Sequence, residues 1–212
     1  MKKQHTFVAG VGVAAMLGAG AFGVGTSAQA QEQERTSDET VSGRLLPLNS
    51  SGAYGSAKVD LDGKRAEIRV RANRLAANLP HAQHIHFGAQ ARNECPSAAD
   101  AGRDHRLDTT DGAPAYGPVK TSLTTGGDTS PKSTLAVDRF PTAPDGKVRY
   151  QRDITLSSKK LARAIRNGKG VVVIHGVDYH GNGEYDFSSG KSDLDKSLPA
   201  EATDPAVCGV LK

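Results

Sequence analysis

Two histidines separated by one residue, His84 and His86, are the residues of this chain best suited to bind a metal ion. In an extended strand, side chains two positions apart project from the same face, so both imidazoles can reach one ion. A third histidine, His175, ends the apolar run 170–174. Imidazole nitrogens are good ligands for copper in both of its common oxidation states. The three residues therefore predict a copper site shared between two neighbouring strands.

A structural role for the same histidines is the alternative interpretation. His84 and His86 can also be core or loop histidines with satisfied hydrogen bonds, and His81, which follows Pro80, is expected at the surface. The two interpretations predict different surroundings. An open, roomy loop around the histidines favours a copper site, whereas a buried cluster satisfied by backbone carbonyls favours the structural role.

The first thirty residues have the pattern of a signal peptide. Lys2 and Lys3 precede an apolar stretch rich in glycine and alanine, and the run Ser27–Ala30 supplies the small residues of a cleavage site. We expect cleavage after Ala30 and export to the periplasm or the extracellular space, without a remaining membrane attachment. Cleavage removes two lysines and no acidic residue, so the mature chain is nearly balanced in charge.

The mature chain is predicted to hold one domain. Residues 31–40 are polar and acidic without apolar periodicity, which is typical of an unstructured leader. Residues 41–212 have the length of a single domain. Their basic residues are scattered and lack interleaved aromatics, so nucleic acid is not expected as a partner. The sequence does not predict an oligomeric state.

Short apolar segments separated by Gly, Pro, Asp and Ser predict an all-β fold, an antiparallel Greek-key sandwich or barrel of about eight strands with long loops. In the third strand Ala66, Ile68, Val70 and Ala72 alternate with charged residues, which predicts one buried face. The expected strands are 41–48, 52–61, 65–72, 82–88, 119–124, 134–140, 147–155 and 169–175.

One turn and one helix are also predicted. The pair Asp62-Gly63 predicts a tight hairpin turn. Ser157 or Ser158 is expected to cap a short helix that ends at Gly168. Its apolar stripe consists of Leu161, Ala162 and Ile165.

The chain has two cysteines, Cys95 and Cys208. Cysteines of exported proteins are normally paired, so we expect a disulfide between them. This bond would tie the loop after the His84–His86 strand to the C-terminal strand.

The order of these residues resembles the copper/zinc superoxide dismutase family. The resemblance covers residues 82–95 and 170–211: a His-x-His pair, then a cysteine, a late strand histidine with Asp178 three residues on, and the closing Cys208-Gly-Val. It implies a Greek-key barrel, copper bound by the strand histidines, and pairing of the two cysteines. A second resemblance, carried by 116–123 (Tyr-Gly-Pro-Val-Lys-Thr-Ser-Leu), is to the CHRD domain, named from chordin.

Three departures from the dismutase pattern bear on catalysis. His105 is the only histidine that can take the place of the family's bridging ligand, and it is ten residues after Cys95. No histidine lies between His105 and His175, so a zinc site is not expected. Pro205 stands where the family has a superoxide-guiding arginine. If the chain is an enzyme, the resemblance implies an oxidoreductase of the dismutase type with superoxide as substrate and an incomplete site.

Two functions therefore stay open at this point. The first is a secreted copper-binding protein with ligands His84, His86 and His175, and His105 as a fourth. The second is a non-catalytic CHRD-like module that binds an extracellular partner. A calcium site is a further expectation at Asp178, Asn182 and Asp186, whose spacing partly matches a calcium-binding loop. The acidic run 100–111 matches such a loop only in degenerate form.

Overall fold

A computed structural model describes residues 39–212 of the chain. The expected signal peptide, residues 1–30, and residues 31–38 of the expected leader lie outside these described residues. The last two leader residues belong to the first strand. The strands are β1 (Glu39–Pro47), β2 (Tyr54–Asp62), β3 (Arg65–Asn73), β4 (Gln83–His86), β5 (Val119–Ser122), β6 (Val148–Thr155), β7 (Val171–His175) and β8 (Pro205–Val210).

The eight strands form one antiparallel sheet in the order β5-β4-β7-β8-β1-β2-β3-β6, which is curled into a half-barrel. The all-β prediction is confirmed. The neighbours β3–β6 and β4–β7 are not consecutive in the chain, so the connections cross in the manner expected of a Greek key. Side chains of β6 reach the opposite edge, where the Tyr150 hydroxyl and the Arg152 guanidinium donate to the Thr124 carbonyl at 3.2 and 2.9 Å.

Strands β1, β2, β3 and β6, which we call the meander half, follow the predicted alternation. In β3 the four predicted apolar residues are buried and the charged residues between them point outward. The β2–β3 hairpin closes directly after Asp62, and Gly63 takes a positive φ of 58° in the turn. This half therefore has one face in the core and one in water.

Strands β4, β5, β7 and β8, which we call the histidine half, differ because β4 and β7 are buried on both faces. One face, with Ile85, Val172 and Ile174, joins the main core. The other carries Val171 and Val173 and is covered by a second cluster. The predicted disulfide between Cys95 and Cys208 is present and anchors the covering loop to β8.

In the part of the chain that the structure describes, three α-helices accompany the sheet: α1 (Thr109–Tyr116), α2 (Lys159–Arg166) and α3 (Ala200–Thr203). The α2 helix was predicted, and the Ser158 hydroxyl caps it by accepting from the Leu161 amide at 3.1 Å. The α1 and α3 helices were not predicted, since α1 contains a glycine and a proline and α3 is one turn long. Within residues 39–212, no helix is both long and apolar enough to cross a membrane.

The strand expected at 134–140 is wrong. This segment follows one 3-10 turn, Pro131–Ser133, and contains a second, Val137–Arg139. The Asp128 carboxylate accepts from the hydroxyls of Ser130 and Ser133 at 2.7 and 2.6 Å, and such local bonds compete with a strand ladder. The eighth strand is instead β8, the C-terminal strand that carries Cys208.

Candidate metal centre

Strand register places the three histidines on one face of the sheet. β4 runs antiparallel to β7 with His84 opposite Val173 and His86 opposite Val171. Residues directly opposite each other share a face, and the face repeats every second residue. His175 lies two residues beyond Val173 and therefore shares the face of both β4 histidines.

The strand register is irregular at two of the three histidines, His86 and His175. The β4–β5 register shifts between Ile85 and His86, and the β7–β8 register shifts between Ile174 and His175. Bulges of this kind bend a strand and redirect a side chain. Here the extra residue of each shift lies in the neighbouring strand, Lys120 in β5 and Ala206 in β8, next to the position opposite a histidine.

The three side chains converge. One nitrogen from each of His84, His86 and His175 can be chosen so that all three lie within 4.8 Å of one another. All three residues are buried, with at most 4% of their surface exposed. The ring of His84 lies 5.3 Å from that of His175 and 5.7 Å from that of His86, measured between centroids. Three imidazoles in this arrangement can hold one metal ion.

In each of the three histidines, one ring nitrogen donates a hydrogen bond to a backbone carbonyl. His84 Nε2 donates to the Thr134 carbonyl at 3.2 Å. His86 Nδ1 donates to Gly117 at 2.8 Å, and His175 Nδ1 donates to Thr203 at 2.6 Å. A carbonyl oxygen only accepts, so these contacts fix the proton on the bonded nitrogen of each neutral ring.

The remaining nitrogens are buried and have no hydrogen-bond partner: His84 Nδ1, His86 Nε2 and His175 Nε2. In the neutral tautomers fixed above, each of these atoms carries a free lone pair. An unpartnered polar atom in the interior is costly, so three of them on three rings that lie together require an explanation. A metal ion bound by the three lone pairs satisfies all of them, and histidine ligands are commonly oriented by such carbonyl contacts.

Burial keeps the three rings neutral. Desolvation lowers the pKa of His84 well below its usual value, and it lowers the pKa of His86 to about 3 and that of His175 to about 4. The contacts with Gly117 and Thr203 oppose these shifts without cancelling them. At neutral pH all three lone pairs are therefore available to a metal ion.

Gly117 holds the carbonyl that orients His86. It follows α1 with a positive φ of 81°, and a Cβ atom there would lie 2.7 Å from the Gly88 amide nitrogen. Tyr116, the preceding residue, packs its ring 4.5 Å from the His86 ring, centroid to centroid. The end of α1 therefore fixes the position of His86 through both a carbonyl and a ring.

The segment wrongly expected to be a strand covers the histidines. Thr134 supplies the carbonyl for His84, and the Phe140 ring lies 5.3 Å from the His84 ring. A cavity of about 30 Å³ adjoins the three rings, beneath this segment and the chain around α3. The structure therefore does not have the open, roomy loop expected of a copper site. Carbonyls satisfy only one of the two nitrogens of each ring.

Two other histidines considered in the sequence analysis, His105 and His81, do not belong to this cluster. His105 is exposed, with a positive φ of 58°, and the structure does not bring it to the other three. The expectation that His81 is a surface residue is wrong, because its side chain is fully buried. Its Nδ1 lies 2.8 Å from the His175 carbonyl and its Nε2 lies 3.0 Å from that of Ala76. His81 therefore supports the backbone of a ligand-type residue.

The residues expected to bind calcium make contacts within their own loop. Both Asp178 oxygens accept from backbone amides of residues 181–183, and the Asn182 amide donates to Asp186 at 2.7 Å. Asp186 instead approaches His180 and Glu201, and these three form a second group of ligand-type side chains. The buried Glu201 carboxylate accepts from the amides of Tyr179 and Asp186, so it already organises the loop.

Sequence reasoning could not identify the residues that complete the centre. The carbonyls of Thr134, Gly117 and Thr203 are backbone groups that any residue carries. The weak signal for α1 was the spacing Asp108-x-x-Asp111, which forms a capping box in the structure. No model of a known protein family matches the sequence, and no curated protein matches it significantly.

Proposed function

We propose that the protein is an exported copper-binding protein that holds one copper ion at His84, His86 and His175. The convergence of three buried imidazole rings, each with one unpartnered nitrogen, is the observation that carries this proposal. Each ring has its second nitrogen bound to a carbonyl, as in other histidine metal sites.

The donor set supports copper over other divalent metals. Nitrogen ligands bind Cu²⁺ more tightly than the other first-row divalent ions, and imidazole also accommodates Cu⁺. The resemblance to the copper/zinc superoxide dismutase family, in the residues His84, His86, Cys95, His175 and Cys208, points the same way. Bound copper would supply one-electron redox chemistry, while the chain holds the rings neutral and excludes water from them.

Export is the second part of the proposal. The disulfide supports it, because such bonds persist in oxidising compartments and are rare in the cytosol. The expected cleavage after Ala30 supports it independently. Mass spectrometry of the secreted protein should find Gln31 as the first residue.

Metal titration of the purified mature protein tests the copper site. We expect one copper ion per chain in the wild type. His84→Gln, His86→Gln and His175→Gln should each weaken copper binding by at least about a hundredfold, which is the upper end of the effect of removing a group that only orients a ligand. His105→Gln is the matched control and should bind copper like the wild type. Equal weakening in the control, or no copper in the wild type, would contradict the proposal.

A non-catalytic module is the second candidate, because the rings are buried under apolar residues rather than open to solvent. A superoxide-decay assay on copper-loaded protein separates the two. Faster decay with the wild type than with His175→Gln places dismutation at the site. Equal decay favours the module.

A further inference from the structure

The cavity beside the three histidines has an apolar mouth. Apart from the histidines and three threonines, every residue that lines it is apolar, and none of the described lining residues is charged. Those nearest the surface are Leu135, Val137 and Leu194, which are 38, 37 and 44% exposed. Residues 39–212 contain only six exposed large apolar side chains, so half of them surround one small cavity.

Hydrogen bonds hold the segments that form this mouth. On one side, the Thr134 carbonyl that precedes Leu135 accepts from His84. On the other side, the Leu194 amide donates to the Ser192 hydroxyl at 3.1 Å. The Ser192 amide in turn donates to the Leu198 carbonyl at 2.9 Å. The leucines are therefore positioned by the backbone and not merely left at the surface.

The charged side chains near the mouth do not line the cavity. Asp193 precedes Leu194, and its carboxylate accepts from the Thr110 amide at 2.7 Å, next to the lining residue Thr109. Lys196 turns its ammonium group to the Ser192 carbonyl at 2.7 Å. An anion that enters must lose its hydration without gaining a cationic side chain.

We propose that the apolar mouth restricts this centre to small uncharged ligands of the size of carbon monoxide or dioxygen. This inference rests on the proposed copper site and specifies what can reach it. The cavity of about 30 Å³ is about two to three times the volume that a cavity needs to hold one water molecule, which limits a ligand to a few atoms. The superoxide anion belongs to the excluded class.

Ligand binding to the loaded protein tests the proposal without measuring turnover. Azide is the anionic probe, followed by its absorption band with the Cu²⁺ form, and carbon monoxide is the neutral probe, followed by infrared with the Cu⁺ form. Leu194→Arg places a cation in the mouth, and Val137→Lys is a second variant that does the same from the opposite segment. Leu46→Arg is the matched control, because Leu46 is 58% exposed and does not line the cavity.

We expect Leu194→Arg and Val137→Lys to tighten azide binding by about tenfold or more, the lower range of electrostatic focusing effects. Carbon monoxide binding should change less than about twofold in every variant, and Leu46→Arg should match the wild type with both probes. Azide binding that is equally tight in the wild type and in both mouth variants would overturn the proposal. Failure to load copper at all is a separate outcome, read from metal content, and it would overturn the proposed function together with this inference.

Discussion

The meander half and the histidine half of the sheet are built from the same kind of antiparallel ladder but differ in what covers their outer faces. The outer face of β3 meets water and carries charged residues, whereas the outer faces of β4 and β7 are covered by loops and by the disulfide. A solvated face tolerates charge, while a covered face must satisfy every polar group within the protein. The histidine half satisfies only half of its imidazole nitrogens, and that deficit marks the candidate metal centre.

Removal of the disulfide is expected to have the largest effect on stability, and it tests this comparison. Cys95→Ser combined with Cys208→Ser opens a loop of 113 residues and should lower the free energy of unfolding by about 4 to 5 kcal/mol on the chain-entropy model. Because the released loop leads to α1 and Gly117, which orient His86, copper binding should weaken as well. Chemical denaturation and copper titration of the double variant measure both effects.

An unchanged copper affinity in the folded double variant would show that the loop holds its position without the bond. Reduction of the wild-type protein is the matched control for stability, since it opens the same loop without a substitution. Both samples should then give the same free energy of unfolding.

The two halves also contain acids with opposite pKa shifts. Burial raises the pKa of Asp204, at the start of β8, to about 7, although the Tyr179 hydroxyl donates to it at 2.9 Å and Arg106 lies 3.4 Å away. In the meander half, hydrogen bonds from Thr40 and Lys58 lower the pKa of Asp60 to about 2. A raised pKa means that the folded state prefers the protonated acid.

Asp204 should therefore make stability fall as the pH rises. Its contribution is complete below the unfolded pKa of 3.8 and is lost as the pH passes about 7. Between pH 4 and pH 8, wild type should lose up to about 4 kcal/mol relative to Asp204→Asn, since one pKa unit corresponds to about 1.4 kcal/mol. Denaturation of both proteins across this range gives the difference directly.

Asp60→Asn is the control on the partly exposed side. The stabilisation from Asp60 is lost only as the pH falls from about 4 towards 2, so between pH 4 and pH 8 its difference from wild type should be nearly constant and below about 1 kcal/mol. A difference between wild type and Asp204→Asn that is constant with pH would contradict the assignment of a raised pKa.

The sequence predicted the meander half well because its information is local. Alternation in β3 and the turn at Gly63 each depend on residues a few positions apart, and so does the Ser158 cap of the α2 helix that follows this half. The histidine half depends on contacts between distant segments. The three histidines and the cysteine pair could be identified by residue type. The segment 134–140 that covers the histidines could not, since the bonds from Ser130 and Ser133 to Asp128 favour local turns over the apparent strand pattern.

The sequence also misplaced His81 and suggested His105 as a ligand for the same reason. Pro80, beside His81, and the spacing of His105 from Cys95 are local features, and neither indicates which loop covers the sheet. His81 is buried because its ring fits between the carbonyls of His175 and Ala76, which are far from each other in the chain.

The substitution Gly117→Ala separates positioning of the site from support of the fold. Gly117→Ala places a side chain at a positive φ, which costs about 1 to 2 kcal/mol, and its Cβ would press on the Gly88 amide. The Gly117 carbonyl must then move away from His86 Nδ1, so copper affinity should fall by about tenfold or more, as expected for loss of an orienting contact. Ile68→Ala, in the meander half, is the contrasting variant: it should cost about 2 to 5 kcal/mol of stability and leave copper affinity of the folded protein unchanged. Thermal denaturation and copper titration of both variants give the four values, and a parallel loss of stability and affinity in Ile68→Ala would show that the two halves do not act separately.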